Sequence, residues 1–120
     1  MVGLEQFLQA LEENSAANPP QLVIADFHAT WCAACRKVQP MLEALAAERA
    51  DVTIVKIAYD QNKELCRSLG VKKLPFFHVY RGGRERLESF SASKKTFHRV
   101  LNAVAIHAPA AAAAKEESPK

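Results

Sequence analysis

The seven residues QLVIADF, 21–27, follow Pro20 and run almost directly into CAACRKVQPMLEALAAERA, 32–50. The first stretch is a short apolar run bounded by proline, which suits a buried strand. The second places Val38, Met41, Leu42 and Leu45 at helical spacing, with Pro40 expected to kink the helix. A buried strand passing at once into an amphipathic helix is half of a crossover, and VTIVKIAY, 52–59, supplies a β-branched second strand. The remaining segments fit around that unit. A helix is expected over 3–14, with Leu4, Phe7, Leu8 and Leu11 on one face and Asn14 and NPP at 18–20 ending it. A short helix over 62–70 is stopped by Gly70. LPFFHVYRGGRERLESFS, 74–91, is two extended runs turning at Gly82-Gly83, a hairpin signal. A closing helix over 93–107 is expected to be capped by Ser93 and to turn Phe97, Val100, Leu101 and Val104 inward. The order α-β-α-β-α-β-β-α predicts an α/β fold, a mixed sheet with helices on both faces.

The chain's 120 residues suffice for one domain, expected over 1–108, with the Ala-rich, charged stretch 109–120 as a tail. Its three cysteines are too few for a disulfide scaffold, and one is left over. No apolar run approaches the roughly 18–20 residues of a membrane span. The net charge of +3 conceals an asymmetry: residues 1–60 carry 4 Lys/Arg against 8 Asp/Glu, and residues 61–120 carry 12 against 5. The basic half can steer acidic protein partners or simply solvate the surface. Its cations are scattered without interleaved aromatics, which argues against nucleic acid. Lys72 and Lys73 stay open between docking acidic targets and solubilising a rim.

Cys32 and Cys35 stand three apart at the strand-to-helix junction. The first turn of a helix carries unpaired N–H groups and the positive end of the dipole, so a thiolate at Cys32 is stabilised. Cys35 falls on the same helical face, near enough to close a small disulfide ring. The spacing alone also admits two inert buried thiols. A zinc site needs about four ligands, and beyond this pair only the distant Cys66 remains. A cluster bridging two chains through the pair is a further alternative.

VIADFHATWCAACRKVQPML, VTIVKIAYDQN, LPFFHVYRGG and SFSAS together resemble thioredoxin over about residues 3–107. CRSLGVKKLPFFHVYRGG and LESFS more narrowly resemble the atypical cysteine- and histidine-rich thioredoxins of chloroplasts in plants and algae. The resemblance implies thiol–disulfide exchange with disulfide-bearing target proteins, a peroxiredoxin possible among them, with no metal or organic cofactor. It implies a monomer in the chloroplast stroma, with the cytosol as alternative. Cys32 matches the attacking cysteine, Cys35 the resolving one and Trp31 the tryptophan walling the site. Asp26 matches the buried aspartate that takes a proton from Cys35, and Lys56 its tempering neighbour. Pro75 matches a proline held in cis, and Leu74-Pro75 leaves neighbouring backbone free to pair with an extended substrate. Ala33 and Ala34 lie on the same substrate-facing loop.

This chain departs from the family pattern in three places. Ala33-Ala34 replaces the usual Gly-Pro, which leaves extra N–H donors for the Cys32 thiolate and points to a weaker reductant. His28 stands where a second tryptophan is usual; if protonated it favours the thiolate, and otherwise it is a packed ring. SFSAS lacks a glycine common in the substrate groove. Cys66 is either a small buried hydrophobe or a regulatory thiol. The alternative from another class is a non-catalytic module that binds a partner through the Pro75 groove.

Overall fold

In the computed structural model, residues 4–16, 21–83 and 85–108 are described. The tail expected over 109–120 and the helix-ending NPP stretch fall outside them. The elements are α1 (Leu4–Ala16), β1 (Leu22–His28), α2 (Ala33–Glu48), β2 (Val52–Ala58), a 3-10 turn (Tyr59–Gln61), α3 (Lys63–Ser68), β3 (Phe76–Arg81), β4 (Arg86–Ser91) and α4 (His98–His107). The strands form one sheet in the order β2-β1-β3-β4. β1 pairs with β2 in parallel and with β3 antiparallel, and β3 pairs with β4 antiparallel. The expected mixed sheet is therefore present, and its turn uses Gly82 and Gly83 at φ 75° and 156°.

Side-chain alternation along β1 divides the core into two layers. Leu22 and Ile24 pack with Val38, Leu42 and Leu45 of α2 and with Val100 and Val104 of α4. Val23, Ala25 and Phe27 face the other way, against Phe7 and Leu11 of α1 and Cys66 of α3. Helices thus cover both faces. The second layer also takes in His78, wholly buried, with Nδ1 3.2 Å from the Tyr80 hydroxyl. Burial, with Arg86 nearby, pushes the His78 ring down to about 4, so it is neutral at ordinary pH. The helix α2 is continuous through Pro40.

The C-terminal helix corrects two expectations. It begins at His98, not at Ser93, and Ser93 does not cap it. Instead the Thr96 N–H donates to the Ser93 carbonyl (3.1 Å) and the Ser93 N–H donates to Thr96 Oγ1 (2.8 Å). This closes a separate turn, and the chain enters the helix through Arg99 and Val100 bonds to the carbonyls three residues before them. Leu101 is 47% exposed, so it does not face inward; Ala103 takes the buried place beside Phe97, Val100 and Val104. One residue after Val100 is a rotation of about 100° around the helix, enough to carry Leu101 off the apolar stripe.

This placement separates two neighbouring side chains energetically. Val100→Ala is expected to destabilise by about 2 kcal/mol through the cavity it leaves. Leu101→Gln is expected to change stability by less than about 1 kcal/mol. Urea midpoints at matched slopes check both, and a larger cost at 101 would contradict the observed facing.

Candidate active site

Because β1 is buried on both faces, the chain can reach solvent only beyond its end, and that is where the cysteines lie. Cys32 is the N-cap of α2, with extended backbone (φ −92°, ψ 111°), and its Sγ accepts from the Cys35 N–H at 3.1 Å. The Cys32 N–H donates to the Ala29 carbonyl (3.2 Å) and the Arg36 N–H to the Cys32 carbonyl (3.2 Å). The sulfur is therefore held at the positive end of the helix by the Cys35 N–H, and the backbone of Cys32 is held by the other two bonds. Ala33 and Ala34 occupy the first turn, Ala33 exposed and Ala34 half-buried. Having no proline, this turn keeps both N–H groups.

The two thiols differ. Cys32 is 8% exposed and Cys35 2%. Cys32 lines a hollow of about 250 Å3 formed with Trp31, Tyr59, Val71 and the Lys72–Leu74 run, and Cys35 does not reach it. The Cys35 thiol is pushed up to about 12, first by burial, then by its hydrogen bond to Cys32 and by the negative charges of Cys32 and Asp26; a backbone bond from Ala29 works the other way. Cys35 thus holds its proton beside Cys32. Ala34, Tyr59 and Leu74 pack around both cysteines and Ala29.

Asp26 is fully buried on β1, on the sheet face turned to α2. Its Oδ2 accepts from Gln39 Nε2 at 2.9 Å, while its Oδ1 and the Gln39 Oε1 are buried with no hydrogen-bond partner among the described residues. Burial pushes its carboxyl from 3.8 to about 6, against the lowering effects of the Gln39 bond and the Lys56 charge. Lys56 sits opposite Asp26 in the parallel register, with an exposed side chain whose Nζ is 4.0 Å from Glu43 Oε2. It reaches Asp26 by charge.

The other expected residues are placed as follows. The Leu74–Pro75 bond is cis, Pro75 is buried, and both residues line a second hollow of about 300 Å3 beside Ala34. Trp31 is 63% exposed, and its Nε1 donates to Asp60 Oδ2 at 2.8 Å. His28 is half-buried with Nε2 unpartnered among the described residues; burial, then Lys56, hold its pKa below the usual histidine value. The protonated form that would favour the Cys32 thiolate is therefore disfavoured. Cys66 is wholly buried in the α1–α3 layer and its thiol is pushed up by burial.

Sequence reasoning did not single out Gln39, Tyr59, Val71 or Arg99. Gln39 had a signal: it stands four residues after Cys35, so it shares that helical face. Tyr59 opens the 3-10 turn, Val71 follows α3 and Arg99 lies in the first turn of α4, and only the fold brings the three to the site.

The raised Asp26 pKa has a consequence for stability. Its protonated form is preferred in the folded chain, so the contribution is fully present below about 3.8 and lost as pH rises through about 6. Moving a carboxyl over that interval corresponds to about 3 kcal/mol. Asp26→Asn is therefore expected to be more stable than the parent at pH 7.5 by up to about 3 kcal/mol, with the gain vanishing below about pH 4. Denaturant unfolding across this range checks it; a pH-independent difference would place the cause elsewhere.

The sequence model of the family described as Thioredoxin matches residues 4–103. The chain is 41% identical over 103 residues to "Thioredoxin-like 2, chloroplastic" of Oryza sativa subsp. japonica, which covers 86% of this chain and 46% of that protein. It is 49% identical over 89 residues to "Thioredoxin-like 2-2, chloroplastic" of Arabidopsis thaliana, covering 74% of this chain and 36% of that protein. The chain thus spans less than half the length of these curated relatives. Among solved structures it is similar to Chlamydomonas reinhardtii thioredoxin f2, with a TM-score of 0.73, 30% identity, and coverage of 91% of this chain and 98% of the other. With the sheet order, the capped cysteine and the buried aspartate behind it, these matches place the chain in the thioredoxin family.

Proposed function

We propose that the chain is a thiol–disulfide oxidoreductase acting on protein disulfides, of the less reducing, atypical kind, and that it works in the chloroplast stroma. The observation that carries this reading is the unequal pair: Cys32 caps the helix and lines a hollow, while Cys35 is shielded and keeps its proton. In the reduced state the Cys32 thiolate attacks one sulfur of a target disulfide. The target S–S bond breaks, a Cys32–target disulfide forms, and the other target sulfur leaves as a thiolate that takes a proton from solvent. Cys32 is then neutral. The Cys32 charge and acceptor that helped keep the proton on Cys35 are gone, while burial and the Asp26 charge remain, and its thiol becomes more acidic.

Asp26, with its carboxyl at about 6, accepts that proton. Cys35 attacks Cys32 Sγ, the Cys32–Cys35 disulfide forms, and the second target sulfur departs to be protonated. The target gains two electrons and two protons, and the pair loses them. The same steps reversed oxidise a dithiol target, which would let the protein pass electrons to a peroxiredoxin. Lys56 tempers Asp26 and Trp31 walls the site. The cytosol is the alternative location, and chloroplast location draws on the names of the relatives.

Two measurements test this reading. Cys35→Ser removes the resolving thiol, so incubation with a chloroplast extract should leave reductant-sensitive covalent complexes on Cys32, with a peroxiredoxin among them. Covalent capture by Cys32→Ser instead, or by neither variant, would count against exchange at Cys32. The Ala33-Ala34 turn keeps an N–H that proline removes, which favours the dithiol. The parent should therefore have a midpoint potential about 30 mV less negative than the Ala33→Gly/Ala34→Pro variant. An equal or lower potential would rule out the weaker-reductant reading.

A further inference from the structure

Cys32 opens into the first hollow, and a second hollow lies on the other side of Leu74. Lys73 and Leu74 line both, so the two hollows adjoin at these residues and are taken together as one groove past the Leu74–Pro75 step. The groove's floor is apolar: Tyr59, Val71, Leu74 and Pro75. Its charged walls are of one sign. Lys72 and Lys73 stand on the first hollow, and Lys73 and Arg99 on the second.

Among the described residues, no carboxylate lines either hollow. Asp60 is bonded to the Trp31 indole and lines a different depression, with Glu64. Lys72 and Lys73 are exposed and have no ion pair with a carboxylate among the described residues. Arg99 is oriented by donating from Nη1 to the Ser91 carbonyl at 3.1 Å, which fixes it on the groove wall. The three cations all come from the basic half of the chain, 61–120, with its 12 Lys/Arg against 5 Asp/Glu.

We propose that this groove selects disulfide-bearing polypeptide segments that carry Asp or Glu on both sides of the reacting cysteine. The inference rests on thiol–disulfide exchange at Cys32 and adds the chemistry of its substrate. An extended segment crossing Cys32 would lay its flanks in the two hollows. An acidic flank would meet Lys72 and Lys73 on one side and Lys73 and Arg99 on the other. A basic flank would meet the same cations with no carboxylate to relieve them. Each exposed pair is weak singly and screened by salt, but like-charge juxtaposition and opposite-charge pairing act in opposite directions on the two kinds of substrate. The discrimination is therefore larger than either effect alone.

The test uses three disulfide peptides, identical except that the residues flanking the cysteine are Glu, Ser or Lys. The prereduced full chain is mixed with each in single turnover, and Cys32–Cys35 oxidation is read after alkylation. Each rate is divided by that with dithiothreitol, which removes the peptide's own reactivity. At low salt the Glu peptide is expected to react about tenfold faster than the Lys peptide, the ratio falling toward one near 1 M salt. In Lys72→Glu/Lys73→Glu the ratio should invert.

A ratio of one, or a preference for Lys, with the Ser peptide still reduced, overturns the groove assignment and leaves thiol exchange standing. A preference for Glu that survives the double variant unchanged also overturns it, since the selectivity then lies elsewhere. If no peptide is reduced, the exchange reading falls and this proposal falls with it.

Discussion

The hydrogen bond from the Cys35 N–H to Cys32 Sγ depends on where β1 is allowed to end. That strand pairs on both edges and is covered on both faces, so six of its seven residues are buried. Its backbone is paired with β2 and β3, and its apolar side chains are packed into the two helical layers. The chain must therefore turn at His28–Trp31 before it can start α2, and the first free helical N–H groups fall on the residue that caps that turn. Making the cap a cysteine sets a sulfur acceptor where the helix terminus needs one. The same geometry places Cys35 one turn in, under Ala29 and Leu74, where water is scarce.

Electrostatics then separates two chemically identical side chains. Burial, the hydrogen bond to Cys32 and the negative charges of Cys32 and Asp26 keep the proton on Cys35, while Cys32 lines the hollow. Asp26 is held between opposing effects. Burial raises it; Gln39 and Lys56 hold that rise to about 6. Gln39 comes from α2 and Lys56 from β2, so the acidity of a group on β1 is set jointly by the helix that carries the cysteines and by the neighbouring strand.

Most of this frame was legible in the residues. The apolar run with one aspartate, the helix after it and the glycine pair of the hairpin led to the observed order of elements. Cys32, Cys35, Asp26 and Pro75 were named from motif and position, and the structure gathers the first three around the β1–α2 junction with Pro75 facing Ala34 across a hollow. The misreadings share one cause. Ser93 looked like a cap because serine before a helical pattern usually is one, but Thr96 captures it in a turn of its own. Leu101 looked inward because leucine is apolar, yet the helix axis is set by Phe97, Val100 and Val104 packing against the sheet. Tyr59, Val71 and Arg99 are brought to the groove by the fold, along paths no periodicity describes.

Asp26 is the place where local rules and foldability part. A carboxyl in a fully buried strand position, with one oxygen unpartnered among the described residues, costs stability at neutral pH, and a serine, asparagine or valine there would relieve it. The cost is tolerable because it is confined: the β1 ladder is complete on both sides, and the apolar layers around Leu22, Ile24, Val23 and Phe27 do not depend on the aspartate. A carboxyl that is expensive to ionise holds its proton to a higher pH, and this one lies on the side of β1 turned to the helix that carries both cysteines. The rise from 3.8 to about 6 that costs stability at residue 26 is the same rise that brings its carboxyl toward exchanging a proton near neutral pH.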